Sequence, residues 1–451
     1  MKRKVTSLIL SLLILFNIVP VFAAENNVTN NDNNNAEVAE EIDPKTIRDK
    51  DILVPTKDGI QKANQIEYDL IKKYEEMPLE SLTKSYLLGD AETGEVLEAY
   101  NIDEVRAMAS TSKLVSIFVV LDQIKEGKLS LDDEVTIDKE ASSLTGSSYK
   151  LKEGDTLSVN SLITASLVVS GNDAITALGE HIAGSTDAFV VMMNKKCKDL
   201  GLKNAHMVNP TGLTDYSIED YNKMTTREMF TLASEILKQH PEILKYTTMA
   251  SIKEESRNFI EYNTNPILGI VPEIDGLKTG YTNAAGRCVI LTGLEKGTKG
   301  KSKDMRLIGI TTGSMGDWQR FVSCKRLMTD AFEDYDNVKI GSLDKEVKTI
   351  EVENAQDKNI PVFQRKVGYK VLKNDEELKS VVEIKPNLVA PIEAGEKVGH
   401  IQYFRGSDLI FDSDLIVKDK VYEQGIINRF KRAFEEIFVN IEKAEEKDKA
   451  A

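Results

Sequence analysis

The sequence Met108-Ala-Ser-Thr-Ser-Lys-Leu-Val-Ser-Ile-Phe-Val-Val120 changes from small and polar residues to an almost unbroken apolar run that continues through Leu121. This pattern predicts a buried helix whose first turn reaches a surface cleft. Ser110 and Lys113 are three residues apart, so on a helix they share one face. A hydroxyl beside an amine at the positive end of a helix is a candidate nucleophile. Burial and a nearby cation lower the pKa of a lysine, which lets the lysine act as a base.

The pattern Ser-x-x-Lys is a weak signal by itself, because serine and lysine are common residues. It also occurs at Ser81/Lys84, Ser147/Lys150 and Ser342/Lys345. For each of these, a helix-start serine beside a solvated lysine is the simplest interpretation. The stretch around Ser110 differs from the others because two further polar motifs lie downstream of it.

A second polar segment separates two predicted helices. Asn160 to Val169 is strongly apolar, Ser170-Gly-Asn172 interrupts it, and Asp173 to Gly184 resumes the helical pattern. A short polar break between two buried helices places its side chains in a cleft rather than on the outer surface.

A third segment lies on a predicted strand. Ile274 to Gly313 has the pattern of consecutive antiparallel strands, and the first contains Lys278-Thr-Gly280, which occurs once in the chain. A β-hairpin is predicted over Tyr86 to Tyr100, and a closing helix over Trp318 to Phe332. Strands at both ends of this region, with helices between them, predict a mixed α/β domain whose antiparallel sheet is covered by helices.

The three segments follow one another as Ser-x-x-Lys, Ser-Gly-Asn and Lys-Thr-Gly, an order typical of class A β-lactamases and penicillin-binding proteins. Longer stretches add to this: Tyr86-Leu-Leu-Gly-Asp with Thr93-Gly-Glu-Val, Ser170-Gly-Asn-Asp-Ala, Leu200-Gly-Leu-Lys-Asn-Ala-His and Asp275-Gly-Leu-Lys-Thr-Gly-Tyr-Thr. Together they resemble the low-molecular-mass penicillin-binding proteins, which are serine-type D-alanyl-D-alanine carboxypeptidases of bacterial cell walls. The resemblance runs from about Gln61 to the C-terminus and implies a penicillin-binding-protein/β-lactamase-like fold.

The resemblance implies three catalytic residues. Ser110 would attack the carbonyl of the penultimate D-alanine of a peptidoglycan stem pentapeptide and form an acyl-enzyme. Lys113 would take the proton of Ser110, and Ser170 would relay a proton to the nitrogen of the departing D-alanine. β-Lactam antibiotics would acylate the same serine as covalent inhibitors.

The resemblance also implies a set of substrate-binding residues. Asn172 would hold Lys113 and a substrate amide. Lys278, Thr279 and Gly280 would line the substrate site, where Lys278 would favour an anionic substrate and help keep Lys113 neutral. Thr279 would donate a hydrogen bond to the terminal carboxylate. The backbone N–H groups of Ser110 and Tyr281 would form the oxyanion hole.

Two of the implied residues need separate comment. Arg320 follows Gly313-Ser-Met-Gly-Asp-Trp-Gln at the start of a predicted helix, where family members place an arginine that faces the substrate carboxylate. Its planar guanidinium suits that group, and an exposed helix arginine is the alternative. Tyr281 departs from the family pattern, in which His or Thr often follows Lys-Thr-Gly. This departure concerns side-chain specificity, since the backbone N–H remains.

The 451 residues are 41% hydrophobic and 29% charged, which suits two or three globular domains. The formal net charge of −15 does not favour nucleic acid, whose binding needs a basic face, so no such partner is predicted. Cys197, Cys288 and Cys324 lie in apolar segments and are interpreted as buried thiols, although one disulfide is possible. The four histidines lack ligand spacing, so no metal site is predicted. The carboxypeptidase function that the resemblance implies needs no cofactor, and none is expected.

The N-terminus has the pattern of a secretory signal over residues 1–23. Basic residues precede the apolar run Leu8 to Val19, and Val21-Phe-Ala23 offers small residues before a cleavage site. A retained anchor helix is the alternative, although the run is short and Pro20 interrupts its end. We therefore expect an exported protein at the outer face of the cytoplasmic membrane or in the cell wall.

Composition divides the rest of the chain into four parts. Residues 24–60 are an Asn- and acid-rich tether with a lead-in, residues 61–340 the catalytic domain, and residues 345–421 a small β-sandwich. Residues 422–451 include a predicted amphipathic helix with one apolar and one basic face, which fits a membrane surface. The apolar face comprises Ile427, Phe430, Phe434, Ile437 and Ile441. The alternative is a helix packed on its own domain or in a dimer contact.

Three alternative functions are compared with this sequence. A β-lactamase would need a base that hydrolyses the acyl-enzyme, usually in a Glu-x-x-Leu-Asn loop, and Glu219-Asp-Tyr-Asn222 is a poor match to it. A non-catalytic wall-binding protein would be expected to have lost a motif residue, and none is lost. An endopeptidase that cuts D-alanine cross-links would use the same residues and stays open.

Overall fold

The computed structural model describes residues 51–214, 220–254, 257–299, 301–426 and 430. The predicted signal over 1–23, the Asn-rich tether up to residue 50 and nearly all of the predicted amphipathic helix lie outside the described residues. Among the helices that are described, none has the length and hydropathy to cross a bilayer.

The described helices and strands follow in chain order. The helices are α1 (Gln65–Glu75), α2 (Leu79–Leu82), α3 (Lys113–Lys125), α4 (Lys139–Ser142), α5 (Val159–Val168), α6 (Asn172–Ala183), α7 (Thr186–Asp199), α8 (Thr226–Gln239), α9 (Leu244–Thr247) and α10 (Asp317–Asp334), with 3₁₀ turns at Ala109–Ser112 and Pro241–Ile243. The strands are β1 (Leu53–Thr56), β2 (Gly59–Lys62), β3 (Ser85–Asp90), β4 (Val96–Tyr100), β5 (Val105–Ala107), β6 (Glu134–Thr136), β7 (Thr156–Ser158), β8 (Lys223–Thr225), β9 (Ser251–Glu254), β10 (Phe259–Tyr262), β11 (Ile274–Thr282), β12 (Gly286–Glu295), β13 (Met305–Ser314), β14 (Tyr335–Ile340), β15 (Lys348–Ile350), β16 (Ile360–Gln364), β17 (Gly368–Lys373), β18 (Lys379–Ile384), β19 (Lys397–Arg405) and β20 (Asp408–Ile416).

The domain predicted to be catalytic is built on a five-stranded antiparallel sheet in the order β11-β12-β13-β3-β4. The hairpin predicted between residues 86 and 100 is β3–β4, and the strands predicted between 274 and 313 are β11 to β13. Both predictions are confirmed. Strands β11 and β4 form the two edges of this sheet, and the Lys-Thr-Gly segment lies on the β11 edge.

The sheet is buried on both faces, which is why its strands are so apolar. Leu87 packs into a core formed with α3, α5, α6 and α8, whereas its neighbour Leu88 packs into a second core with α1 and α10. Successive strand residues point to opposite faces, so each strand contributes to both cores. The predicted mixed α/β domain with its sheet covered by helices is confirmed.

The segment before α3 differs in detail from the predicted helix. Ser110 lies in the 3₁₀ turn Ala109–Ser112, and the α-helix begins only at Lys113. Ala109 has a φ of 50°, in the left-handed region, so a right-handed helix cannot extend back through it. In a 3₁₀ turn, side chains three residues apart eclipse one another, which aligns Ser110 with Lys113.

The C-terminal domain is all-β, as predicted. Its five-stranded sheet has the order β15-β16-β20-β19-β18, and β14 pairs with β17 in a separate ladder. Tyr335 of β14 and Val371 of β17 also pack in the core that contains α1 and α10, so this ladder joins the two domains. The three cysteines are free and buried, and burial raises the pKa of each thiol above its ordinary value.

The two domains meet at the β3–β4 hairpin and at the loop between β12 and β13, where Asn337 Nδ2 donates to the carbonyl of Asp304 at 3.0 Å. Glu95 on the turn of the hairpin pairs with Lys370 Nζ at 2.5 Å and Arg405 Nη2 at 2.6 Å. Next to this pair of contacts, the hydroxyl of Tyr335 donates to Glu98 at 3.0 Å. The contacts of Glu95 and Glu98 attach the C-terminal domain to the β4 edge, at the far side of the sheet from β11.

Candidate active site

The turn that carries Ser110 is held in place by two glycines. A Cβ on Gly212 would come within 1.8 Å of the carbonyl oxygen of Ala109, and Gly212 also has a φ of 82°. A Cβ on Gly280 would come within 2.8 Å of the backbone nitrogen of Ser110. Only glycine lets the β11 edge and the loop around Gly212 approach the turn this closely. This close approach fixes the position of the Ser110 hydroxyl.

Lys113 is fully buried beneath that turn. Its Nζ lies 3.0 Å from Ser110 Oγ, and it donates to Asn172 Oδ1 at 2.7 Å and to the carbonyl of Thr211 at 3.0 Å. Burial lowers the pKa of Lys113 well below its ordinary value, and the charge of Lys278 lowers it further. The structure therefore places an amine that can be neutral within hydrogen-bond distance of a serine hydroxyl.

Asn172 holds that amine from the first turn of α6. Its Oδ1 accepts from Lys113, and its Nδ2 donates to the carbonyl of Thr145 at 2.7 Å. Both ends of the amide thus have partners in the described structure, so the side chain has one preferred orientation.

Ser170 and Lys278 form a second hydroxyl–amine pair opposite the first. Lys278 Nζ donates to Ser170 Oγ at 2.9 Å and to the carbonyl of Thr279 at 3.0 Å. Ser170 has a φ of 64°, a strained backbone conformation that is common at functional sites. Burial lowers the pKa of Lys278 to about 7, and the charge of Arg320 contributes in the same direction.

Asp173 is a site residue that the sequence analysis quoted without a role. It is almost completely buried, and its carboxylate accepts from the backbone N–H groups of Tyr149, Leu151 and Ala174 and from the hydroxyl of Ser148. Its charge acts against the lowering of the Lys113 pKa. A buried acid directly after Ser-Gly-Asn is the sequence signal that could have identified it.

Thr264 is a second residue that the sequence analysis missed. Its hydroxyl accepts a hydrogen bond of 2.7 Å from Thr279, and its backbone N–H donates to the carbonyl of Val168 at 3.2 Å. Thr264 thus connects the end of α5, next to Ser170, to the Lys-Thr-Gly strand. No local motif marks it, because the contact depends on how β11 packs beside α5.

Arg320 and Tyr281 lie at the margin of this cluster. Arg320 Nη2 donates to Asp317 Oδ1 at 3.1 Å, and its charge reaches Lys278. The Tyr281 side chain is half exposed; its ring lies 4.4 Å from the Arg287 guanidinium, and its hydroxyl donates to Asn283. In the described part of the chain neither side chain hydrogen-bonds directly to Ser110, Lys113, Ser170 or Thr279.

The cluster offers a nucleophile, two amines of lowered pKa and several hydroxyl donors. In the residues that the structure describes, no group of three or more His, Cys, Asp and Glu side chains is placed to hold a metal ion. Such an arrangement is suited to acyl transfer through a serine, with proton movements carried by lysine and serine.

Comparison with known families agrees with the arrangement of both domains. Residues 72–314 match the family described as D-alanyl-D-alanine carboxypeptidase. Residues 335–423 match the C-terminal domain of penicillin-binding protein 5, whose start agrees with the pairing of β14 to β17.

Individual proteins match over most of their length. D-alanyl-D-alanine carboxypeptidase DacF of Bacillus subtilis is 30% identical over 355 residues, which cover 77% of this chain and 88% of that protein. The crystal structure of penicillin binding protein 5 from Haemophilus influenzae has a TM-score of 0.58 at 28% identity and covers 76% of this chain and 98% of its own. That of DacD from Francisella tularensis has a TM-score of 0.59 at 26% identity, with 76% and 94% covered.

Proposed function

The chain belongs to the D-alanyl-D-alanine carboxypeptidase family, and on this premise we propose that Ser110 is its acylated nucleophile and Lys113 the base that activates it. The protein is a serine-type D-Ala-D-Ala carboxypeptidase that acts on peptidoglycan peptides ending in D-Ala-D-Ala. The observation that carries the proposal is the distance of 3.0 Å between Lys113 Nζ and Ser110 Oγ, together with the lowered pKa of that buried lysine.

The proposed reaction has two steps. In the first, Ser110 Oγ attacks the carbonyl carbon of the penultimate D-alanine while its proton passes to neutral Lys113. Ser170, which is bound to Lys278 Nζ at 2.9 Å, gives its hydroxyl proton to the nitrogen of the departing D-alanine as the peptide bond breaks. Ser170 takes in exchange the proton that Lys113 received from Ser110, so Lys113 is neutral again at the end of this step. In the second step, water attacks the ester carbonyl and gives a proton to neutral Lys113. Lys113 returns a proton to Ser110 Oγ as the ester bond breaks, and the shortened peptide is released with Ser110 restored.

Substrate binding is proposed to depend on the β11 edge. The terminal carboxylate of the substrate would accept from Thr279 and be attracted by Lys278 and Arg320, and Asn172 would bind a substrate amide. The backbone N–H groups of Ser110 and Tyr281 would bind the oxyanion, at about 3–4 kcal/mol for each donor. The close approach of Gly280 to the Ser110 nitrogen supports this pairing of the two amides.

The test is the intact mass of the protein, sampled over time after addition of benzylpenicillin, combined with release of D-alanine from a blocked tripeptide ending in D-Ala-D-Ala. We expect a lasting adduct of one drug molecule on the wild type and none on Ser110→Ala. Ser81→Ala, which changes another Ser-x-x-Lys serine on α2, is the matched control and should behave as wild type.

Each other outcome would change the proposal. Fast loss of the adduct with destruction of the drug would indicate a β-lactamase. Cleavage of cross-linked peptide dimers into monomers, with no release of D-alanine from the pentapeptide, would indicate an endopeptidase. Absence of any adduct would mean that the assembled residues are not catalytic, and the assignment of Ser110 would be abandoned.

We further propose that the protein is exported through the signal at residues 1–23 and contacts a membrane surface through residues 422–451. The support is the sequence pattern: a short apolar run after basic residues at the start, and an amphipathic period at the end. Flotation with anionic lipid vesicles tests the second part. The chain beginning at residue 24 should float, and the same chain ending at Gln424 should not.

A further inference from the structure

Asp317, at the start of α10, is shared by two arginines. Its Oδ1 lies 2.6 Å from Arg287 Nε and 3.1 Å from Arg320 Nη2. In the part of the chain that the structure describes, it is the one carboxylate within 4 Å of Arg320. The guanidinium that the proposed function assigns to the substrate carboxylate therefore already has an anionic neighbour.

Arg287 holds this carboxylate from the other side and is itself fixed. It lies on β12 opposite Tyr281, with its guanidinium 4.4 Å from the tyrosine ring, and its Nη1 donates to the carbonyl of Met315 at 3.1 Å. Only 21% of its side chain is exposed. Three contacts on a largely buried side chain leave it one position, beside Asp317.

The charges show what Arg287 changes. Two arginines and one carboxylate leave one positive charge in excess, which attracts an incoming carboxylate. Without Arg287, Asp317, whose side chain is 62% exposed, would pair with Arg320 alone, and the substrate carboxylate would have to compete with it for that guanidinium. Asp317 is ionised in this setting. Burial would raise its pKa, but the close ion pair with Arg287 and the charge of Arg320 outweigh burial and lower it.

We propose that Arg287 is a positioning residue that holds Asp317 away from full pairing with Arg320 and so keeps Arg320 available to the free carboxylate of a substrate ending in D-Ala-D-Ala. The proposal rests on the proposed function and deepens it. Asp317 competes with the substrate carboxylate for Arg320. Arg287 limits this competition and is therefore a determinant of the preference for a free terminal carboxylate over an internal D-alanine bond.

The experiment measures kcat and KM for D-alanine release by four variants: Arg287→Gln, Asp317→Asn, the double variant, and Arg306→Gln as the control. Arg306 makes a two-pronged pair with Asp275 at 2.9 Å, and it lies on β13 at the end of the sheet away from Asp317. A second substrate has the same peptide sequence with an amidated C-terminus and so lacks the terminal charge.

We expect Arg287→Gln to raise KM about tenfold, which corresponds to about 1.4 kcal/mol, with little change in kcat. Adding Asp317→Asn should return KM to within about twofold of wild type, because the competitor is gone. The amidated peptide should not distinguish these variants, and Arg306→Gln should match wild type on both substrates.

A double variant as impaired as Arg287→Gln would show a merely structural role for Arg287 and overturn the proposal. An unchanged KM in Arg287→Gln would also overturn the proposal. These failures differ from failure of the proposed function, because wild type would still be acylated by benzylpenicillin and still release D-alanine. Thermal unfolding of each variant shows whether a loss of activity comes from loss of fold.

Discussion

The hydroxyls of Thr279 and Thr264 lie 2.7 Å apart, although fifteen residues separate them in the sequence. Thr279 is the donor in this pair. To bind a substrate carboxylate, Thr279 must turn its proton outward, and Thr264 must then become the donor to Thr279. A hydroxyl that receives one hydrogen bond while giving another is a stronger donor. In the proposed mode of substrate binding, Thr264 would therefore make Thr279 a better donor to the substrate carboxylate.

Replacing Thr264 with valine removes that second hydroxyl while keeping the shape of the side chain. We expect KM for D-Ala-D-Ala peptides to rise about two- to tenfold, the value of one hydrogen bond of about 0.5–1.5 kcal/mol. Thr264→Ser retains the hydroxyl and should stay near wild type. Equal KM values for the two variants would show that the Thr264 hydroxyl does not act through Thr279.

The rate of acylation by benzylpenicillin should rise with pH as Lys113 loses its proton. Burial and the charge of Lys278 lower the pKa of Lys113, so the ascending limb should lie well below pH 10.5. Lys278→Gln removes the neighbouring charge, which raises the Lys113 pKa and should move the limb to higher pH. Lys113→Arg, which cannot lose its proton in this range, should be slower by about 10²–10⁴-fold. If the ascending limb of the pH profile lies at the same pH in Lys278→Gln as in wild type, Lys113 is not the titrating base.

Asp173→Asn tests the role of the buried carboxylate next to Asn172. Asp173 accepts four hydrogen bonds, and an amide can accept at only one of its two ends. The free energy of unfolding should fall by about 2–4 kcal/mol in urea titrations. Asp132→Asn, at an exposed position, should change it by less than about 0.5 kcal/mol. A neutral result at Asp173 would mean that the loop from residue 147 to 151 is held by other contacts.

Gly280→Ala tests the close approach of β11 to the nucleophile turn. The new Cβ would lie 2.8 Å from the Ser110 nitrogen and 2.9 Å from the Thr111 nitrogen, so the strand must move away. We expect acylation by benzylpenicillin to fall by at least about 10², the cost of misplacing one oxyanion donor, while the protein stays folded. At Gly425 a Cβ meets nothing within 4 Å, so Gly425→Ala is the control and should be acylated normally.

The sequence predicted the sheet and the helices beside it because their patterns are local. The apolar run after Lys113, the polar break at Ser170 and the strand period around Lys278 can each be recognised within about ten residues. It did not predict the left-handed Ala109 or the 3₁₀ turn, because these result from contact with the loop around Gly212, far along the chain.

In the candidate site, too, local patterns predicted some residues, whereas contacts between distant segments were not predictable. The motifs identified residues that meet around Ser110, since three short patterns in a fixed order carry that information. They gave no sign of Thr264 or of Asp317 between two arginines, because those relationships depend on the register of β11, β12 and β13. The residue types involved, threonine, aspartate and arginine, are common on any surface, so composition could not single them out.

The attachment of the C-terminal domain through Glu95 has a consequence for how this protein can change. Glu95 lies on the turn that leads into β4, whereas the reacting groups gather at β11, with three strands between the two edges. Strand β14 also bonds to the loop between β12 and β13, where Asn337 Nδ2 donates to the carbonyl of Asp304 at 3.0 Å. The C-terminal domain therefore contacts the sheet at its β4 edge and at this loop, and the Lys-Thr-Gly segment lies on the β11 edge. Variation in the C-terminal domain that preserves the contacts of Glu95 and Asn337 should therefore leave the β11 edge unchanged.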